Sequence, residues 1–217
     1  MAIPPITAYA MPEESELPAS VAGWRPDPAR AVLLIHDMQR YFVNFFPPGE
    51  LVDRLVANIA RLKRTMTALG MPVMYTAQPG AMTREDRGLL FDVWGKGMDA
   101  TPADRQVVDG IAPAPNDVIL TKWRYSAFHR SPLEELLSSA GRDQLIVCGV
   151  YAHVGCLMTV SDAFSRDIQP FLVADAVADF TAEDHRMAID YAARRCAVVA
   201  STTQILERLQ EAPLQVR

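Results

Sequence analysis

Six short apolar runs, separated by helical patterns or polar loops, leave this chain very few folds to choose from. The runs are AVLLI (31–35), PVMYTA (72–77), DVILT (117–121), QLIVCGV (144–150), PFLVADAV (170–177) and CAVVAS (196–201). They are rich in β-branched residues and read as strands buried on both faces. Between the first two, Leu51, Leu55, Ile59, Leu62, Met66 and Leu69 recur at steps of three and four, which is one face of a long helix. Gly70 and Pro72 punctuate its end. Further helical stretches fall near 131–140, 154–166, 182–194 and 202–210, with Ser131 as an N-cap and Pro132 at the first helical position. Strand–helix alternation predicts one doubly wound α/β domain: a mostly parallel six-stranded sheet with helices on both faces.

A chain of 217 residues, half of them apolar, suits a single domain with a sizeable core. The Pro-rich opening reads as an arm over residues 1–29 lying on a domain of residues 30–217. A net charge of −5 and a pI near 5.4 argue against a nucleic-acid partner, which calls for a basic patch or stripe. Local basic residues can still draw a small anion into a cleft. No apolar run approaches the roughly 18–20 residues of a membrane span. The N-terminus lacks the basic and apolar regions of a signal peptide. Three cysteines, Cys148, Cys156 and Cys196, lie in apolar surroundings and read as reduced thiols of a cytoplasmic protein.

In open α/β sheets, ligands sit beyond the carboxyl ends of the strands. The polar residues directly after each run are therefore the candidates: His36-Asp37, Gln78, Lys122 and Tyr151–Gly155. Taken singly, Asp37 also fits a helix cap or a partner for a nearby arginine, and Lys122 a solvated or ion-paired lysine. Together, opposite charges at strand ends form a plausible acid–base site. In QPGAMTREDRGLL, Arg84 or Arg87 facing the cleft would hold a carboxylate through its planar fork. Trp94, Trp123, Tyr125 and Tyr151 are candidate walls around a ring, or ordinary core and rim aromatics.

Some familiar chemistry is missing. GVYAHVGC has no GxG after its strand, so it is not the dinucleotide fingerprint, and no GK[ST] phosphate loop occurs. His36, His129, His153 and His185 show no HExxH or close Cys/His spacing, which gives no metal site by pattern. They read as hydrogen-bonded core or surface histidines.

The motifs HDMQRYF (36–42), AQPG with its downstream arginine (77–87), WGKGM (94–98), KWRYSAFHRSPLE (122–134), GVYAHVGCLMT (149–159) and DIQPFLVADAVADF (167–180) resemble the isochorismatase family of the cysteine hydrolase superfamily. The resemblance runs from about Ile6 to Leu209. It implies a Rossmann-like fold, a homodimer, no cofactor, and a site with Asp37 and Lys122 at the positions of the superfamily's Asp and Lys. Superfamily amidases carry a nucleophilic cysteine in the loop after the fourth strand. Here Gly155 occupies that place, and Cys156, one residue and about 100° further round a helix, is expected to face the core. A cysteine amidohydrolase using Cys156 or Cys148 is one rival reading, and a non-catalytic scaffold is another.

The implied reaction is hydrolysis of the enol-pyruvyl ether of isochorismate or 2-amino-2-deoxyisochorismate, a chorismate-derived dicarboxylate, by a general acid and water without a covalent intermediate. Stopping at Arg217, the chain resembles the stand-alone type without an attached aryl carrier domain. Asp37 is the expected acid. A carboxyl group ordinarily titrates near 3.9, so protonation at neutral pH requires about 4 kcal/mol of help. Burial and a dianionic substrate supply it, and Lys122 opposes it. Gln78 and Arg87 are expected to hold carboxylates, and Tyr151 and the Gly155 amide to contact the pyruvyl group. Phe42, Trp94 and Tyr125 are expected to complete the substrate site. A non-proline cis peptide near Val150–Tyr151 is also expected from the resemblance.

Overall fold

The structure is a computed structural model and describes residues 3–211. Six strands form one sheet: β1 (Ala31–His36), β2 (Val73–Ala77), β3 (Val118–Thr121), β4 (Gln144–Val150), β5 (Gln169–Ala178) and β6 (Val198–Ala200). Their order is β3-β2-β1-β4-β5-β6 and every pairing is parallel. The helices, in chain order, are α1 (Arg40–Val43), α2 (Glu50–Ala68), α3 (Arg84–Arg87), α4 (Leu90–Trp94), α5 (Pro102–Arg105), α6 (Leu133–Ser139), α7 (Leu157–Ser165), α8 (Ala182–Arg195) and α9 (Thr202–Glu211). All six expected strands are present, each within two residues of its expected ends, as is normal where terminal residues fray.

Every residue of β1 and β4 is buried, as unbroken apolar strands covered on both faces require. On one face, Leu55, Ile59, Leu62 and Met66 of α2 share a core with Leu33, Ile35, Ile146, Phe171 and Ile205 of α9. On the other, Val32, Leu34, Leu145 and Val147 pack against Leu133 and Leu137 of α6, Val160 of α7 and Ile189 of α8. Burying each large aliphatic side chain contributes roughly 1.5–3 kcal/mol.

Two local expectations need correction. β3 is an edge strand with one neighbour, so Ile119 is 58 % exposed and the strand is not buried on both faces. Before α6, Pro132 is the cap residue, and Ser131 Oγ accepts the Leu133 amide from one position further out. The N-terminal segment is anchored rather than loose: Ile6 and Met11 are buried in the α2-side core, and the Tyr9 hydroxyl accepts the Asp179 amide and bonds His185 Nδ1. No helix among the described residues is long and apolar enough to cross a membrane.

Candidate active site

The chain runs from β1 outward to β3, then returns to lay β4 against the other side of β1. The crevice at such a reversal, beyond the strand ends, is where open α/β sheets bind ligands. Here it lies between Asp37, which follows β1, and Tyr151, which follows β4. A cleft of about 610 Å³ opens there. Its walls include all nine residues expected from the sequence: Asp37, Phe42, Gln78, Arg87, Trp94, Lys122, Tyr125, Tyr151 and Gly155.

Asp37 sits in the left-handed region at φ 48°, a conformation aspartate tolerates better than most residues. The backbone turns its carboxylate down among buried partners. Thr76 Oγ1, at the end of β2, accepts the Asp37 amide at 3.0 Å and donates to Asp37 Oδ1. Lys122 Nζ, following β3, reaches Asp37 Oδ2 at 3.2 Å. Both charged side chains are more than nine-tenths buried. Burial pushes the Asp37 carboxyl up, but the Lys122 ammonium, His36 and the Thr76 hydroxyl together outweigh it and hold the group below its ordinary value. Without substrate, Asp37 is therefore a carboxylate.

Arg87 presents a different kind of cation. Its guanidinium is 4 % exposed as a residue, and among the described residues no carboxylate lies within ion-pair distance. It donates to the Gly95 carbonyl and, at 3.5 Å, to Gln78 Oε1. Gly97, at φ 73°, is needed here because a Cβ would overlap the guanidinium. Gln78 is held in turn by a two-way bond with Gln39: its amide donates to Gln39 Oε1 at 2.7 Å and its carbonyl accepts Gln39 Nε2 at 3.0 Å. Arg84, the other arginine of that segment, points outward, pairing with Asp92 and covering the Phe91 ring.

Aromatic side chains make the remaining walls. Trp94 Nε1 donates to the Tyr125 hydroxyl at 2.8 Å, tying the β2–β3 connection to the segment after β3. The Tyr151 ring stacks on Phe46 and meets Phe42 and Phe180. Trp123 is absent from the cleft lining. The peptide Val150–Tyr151 is cis, as the family resemblance leads one to expect.

Two polar groups beside the cleft are engaged within the chain, and one of them, the Gly155 amide, was expected at the pyruvyl group. The Tyr151 hydroxyl donates to the Phe42 carbonyl at 2.8 Å, so what it turns to the cleft is its ring. The Gly155 amide donates to the Tyr151 carbonyl at 3.0 Å inside the π-helical turn Ala152–Cys156, so it is already satisfied. Gly155 is bare for another reason: a Cβ there would overlap the His36 imidazole.

Sequence reasoning missed several cleft residues. Arg124 lines it with its Nη1 on the Asp86 and Trp123 carbonyls, and again no carboxylate pairs with it among the described residues. Ile3, Tyr41, Leu90 and Phe180 also contribute. None follows an apolar run directly, so the strand-end rule passes over them. Arg124 was within reach, two residues after Lys122 in KWRY.

Cys148, Cys156 and Cys196 are buried and unpaired. Burial pushes each thiol up, Cys196 to about 11. None lines the cleft, and a nucleophilic thiol needs access and an easily formed thiolate. Cys156 faces the core as its helical position predicts. His153, Asp179 and Asp184 bring ligand-type atoms within 4.8 Å of one another. Those atoms are committed already: Asp179 takes the His153 ring and amide, and Asp184 takes the Thr181 hydroxyl.

Among solved structures, a cysteine hydrolase from Pseudomonas syringae pv. phaseolicola superposes with a TM-score of 0.80 at 24 % identity, covering 89 % of this chain and 97 % of that one. It supports the fold. In sequence, the phenazine biosynthesis protein PhzD1 of Pseudomonas aeruginosa is 59 % identical, over 94 % of this chain and 99 % of its own length. The isochorismatase of Bacillus subtilis is 52 % identical, over 100 % of this chain and 70 % of its own. The isochorismatase domain profile matches residues 31–204, and with these identities the chain belongs to the isochorismatase family.

Proposed function

We propose that this cleft hydrolyses the enol-pyruvyl ether of isochorismate or 2-amino-2-deoxyisochorismate. The products are pyruvate and the corresponding dihydro-hydroxybenzoate or dihydro-hydroxyanthranilate. The relatives' names, an isochorismatase and a phenazine biosynthesis protein, support this substrate class. The observation that carries it is a buried Asp37–Lys122 pair in one aromatic cleft with Arg87, which has no carboxylate partner among the described residues, and with no described thiol in the lining.

Such a substrate carries two carboxylates on a ring. In the cleft, Arg87 and Arg124 have no carboxylate within ion-pair distance among the described residues, and their planar forks suit carboxylates. Lys122 is the remaining cation, occupied by Asp37 until an anion arrives. When a substrate carboxylate draws Lys122 away, the main force holding Asp37 ionised weakens. Burial and the substrate's negative charge then raise the carboxyl, which takes up a proton.

Protonated Asp37 donates to the terminal methylene carbon of the enol ether, giving an oxocarbenium ion and the Asp37 carboxylate. Water adds to the oxocarbenium carbon and sheds a proton, which returns Asp37 to its acid form. The resulting hemiketal collapses, breaking the ether C–O bond to give pyruvate and the ring alcohol. No covalent enzyme intermediate is needed, which suits a site whose residue 155 has no side chain.

We also infer a homodimer from the family. The exposed apolar pair Met187 and Tyr191, one turn apart on α8, supports it, and sedimentation would read the mass.

The decisive trial offers isochorismate and its amino analogue separately, follows pyruvate with a coupled dehydrogenase and weighs the ring product. Pyruvate together with an intact dihydro ring is the expected result. Release of ammonia or carbamate without pyruvate would instead make the chain an amidohydrolase.

A further inference from the structure

His36 is the last residue of β1, is fully buried and takes no part in the steps above. Its Nδ1 lies 3.0 Å from the Val150 carbonyl. A carbonyl oxygen only accepts, so Nδ1 carries the hydrogen. The same Nδ1 is 3.7 Å from Asp37 Oδ2. That leaves Nε2 turned toward the Tyr125 backbone without a hydrogen bond of good geometry among the described residues.

Such an orphan is costly. Were packing the only demand at residue 36, leucine would fill the space without stranding a polar atom. The ring also dictates its neighbour, since any Cβ at residue 155 would overlap Cε1 and crowd both ring nitrogens. β1 and β4 pair here, His36 against Gly149, so the imidazole spans the two strand ends that flank the cleft.

We propose that His36 is a positioning residue of this site: its imidazole braces the Asp37 carboxyl from the β4 side and keeps residue 155 closed to any side chain, a nucleophile included. Asp37 is then bonded by Thr76 at the end of β2 and Lys122 beyond β3, with the His36 ring packed beside its Oδ2 at 3.7 Å. Burial and the nearby Lys122 keep the imidazole neutral at working pH by pushing it down to about 4. A neutral ring orients the carboxyl without contesting the proton that Asp37 must take up. The Nδ1–H dipole, although bonded to the Val150 carbonyl, lies 3.7 Å from Asp37 Oδ2 and through space favours the carboxylate over the acid. Pairing a histidine with a glycine in this way makes the two residues one steric unit.

The inference rests on the ether-hydrolase reading, and its test separates the two. Four variants are compared with wild type: His36→Leu, His36→Asn, Gly155→Ala, and the double variant carrying both His36→Asn and Gly155→Ala. Melting temperature, kcat and KM of pyruvate release, and pH profile are read for each. His36→Leu removes the donor and the orphan together. It should melt at or above the wild-type temperature, yet lose about 30–100-fold in kcat with KM within about threefold. With the Nδ1–H gone, Asp37 keeps its proton more readily, so the alkaline limb of kcat moves to higher pH. His36→Asn retains a donor toward Val150 and should restore kcat to within about tenfold of wild type. Gly155→Ala should be harmful alone and nearly neutral when the shorter asparagine side chain of His36→Asn makes room.

Wild-type kcat with an unmoved limb in His36→Leu, or equal damage from Gly155→Ala in both backgrounds, would overturn the role of His36. Failure of the wild-type protein to release pyruvate from either substrate would sink the hydrolase reading instead. The melting-temperature coupling of residues 36 and 155 would remain readable in that case.

Discussion

Two buried cations share this cleft, and they are kept in opposite states. Lys122 is neutralised at 3.2 Å by Asp37, with a threonine hydroxyl and an imidazole close by. Arg87 is equally inaccessible, but it rests on a backbone carbonyl and the Gln78 side-chain oxygen without a counter-ion. Burial therefore lowers the Arg87 guanidinium from its ordinary value. A buried pair costs desolvation that its mutual attraction roughly offsets, whereas a buried lone ion bears that cost uncompensated. The pair stores proton chemistry, and the lone arginine stores affinity for an anion.

That contrast can be broken at each member. The largest effect is expected at the acid itself: Asp37→Asn should lower kcat by about 10²–10⁴-fold, the range of general-acid catalysis, with pyruvate release as the assay. Near-normal turnover would remove Asp37 from its role. Next comes Lys122→Met, which strands the Asp37 carboxylate. It should cost about 3–5 kcal/mol in denaturant unfolding at neutral pH. The wild-type carboxyl is held below its ordinary value, so its contribution to stability is present at neutral pH and is lost as pH falls through the folded-state value. The cost of Lys122→Met should therefore shrink in acid.

Arg87→Met should do the reverse. Removing a cation without a counter-ion is expected to leave the unliganded protein as stable or about 1 kcal/mol more so, while KM rises about 10²-fold through loss of a bidentate carboxylate contact. A large loss of stability would mean that the arginine is a structural strut. Gly97→Ala pushes the guanidinium aside without deleting it, and a KM increase of about tenfold is expected. Smallest of all, iodoacetamide should leave turnover unchanged, because Cys148 and Cys156 are buried away from the cleft.

Much of this was legible before any coordinates. Short apolar runs separated by helical faces specified the parallel sheet, because only a strand covered on both sides can be apolar throughout. The strand-end rule then gathered Asp37, Gln78, Lys122 and Tyr151 into one cleft. What escaped depends on three-dimensional neighbours. The exposure of β3 follows from its place at the sheet edge, which its own four residues do not encode. The Gly155 amide was expected to face a ligand, but the Tyr151 carbonyl takes it. Arg124 and Phe180 lie on loops with no periodicity to mark them. The net direction of the Asp37 titration was also hidden, since it balances burial against Lys122, His36 and Thr76.

The most direct test of the Asp37 account is the pH dependence of kcat/KM for pyruvate release. This ratio reports the free enzyme, in which Asp37 is held below its ordinary value. If the acid form is required, kcat/KM should fall about tenfold per pH unit between about pH 6 and 8, while kcat stays level until the raised value in the complex is reached. A kcat/KM that is flat or rises across that range would contradict proton delivery from Asp37.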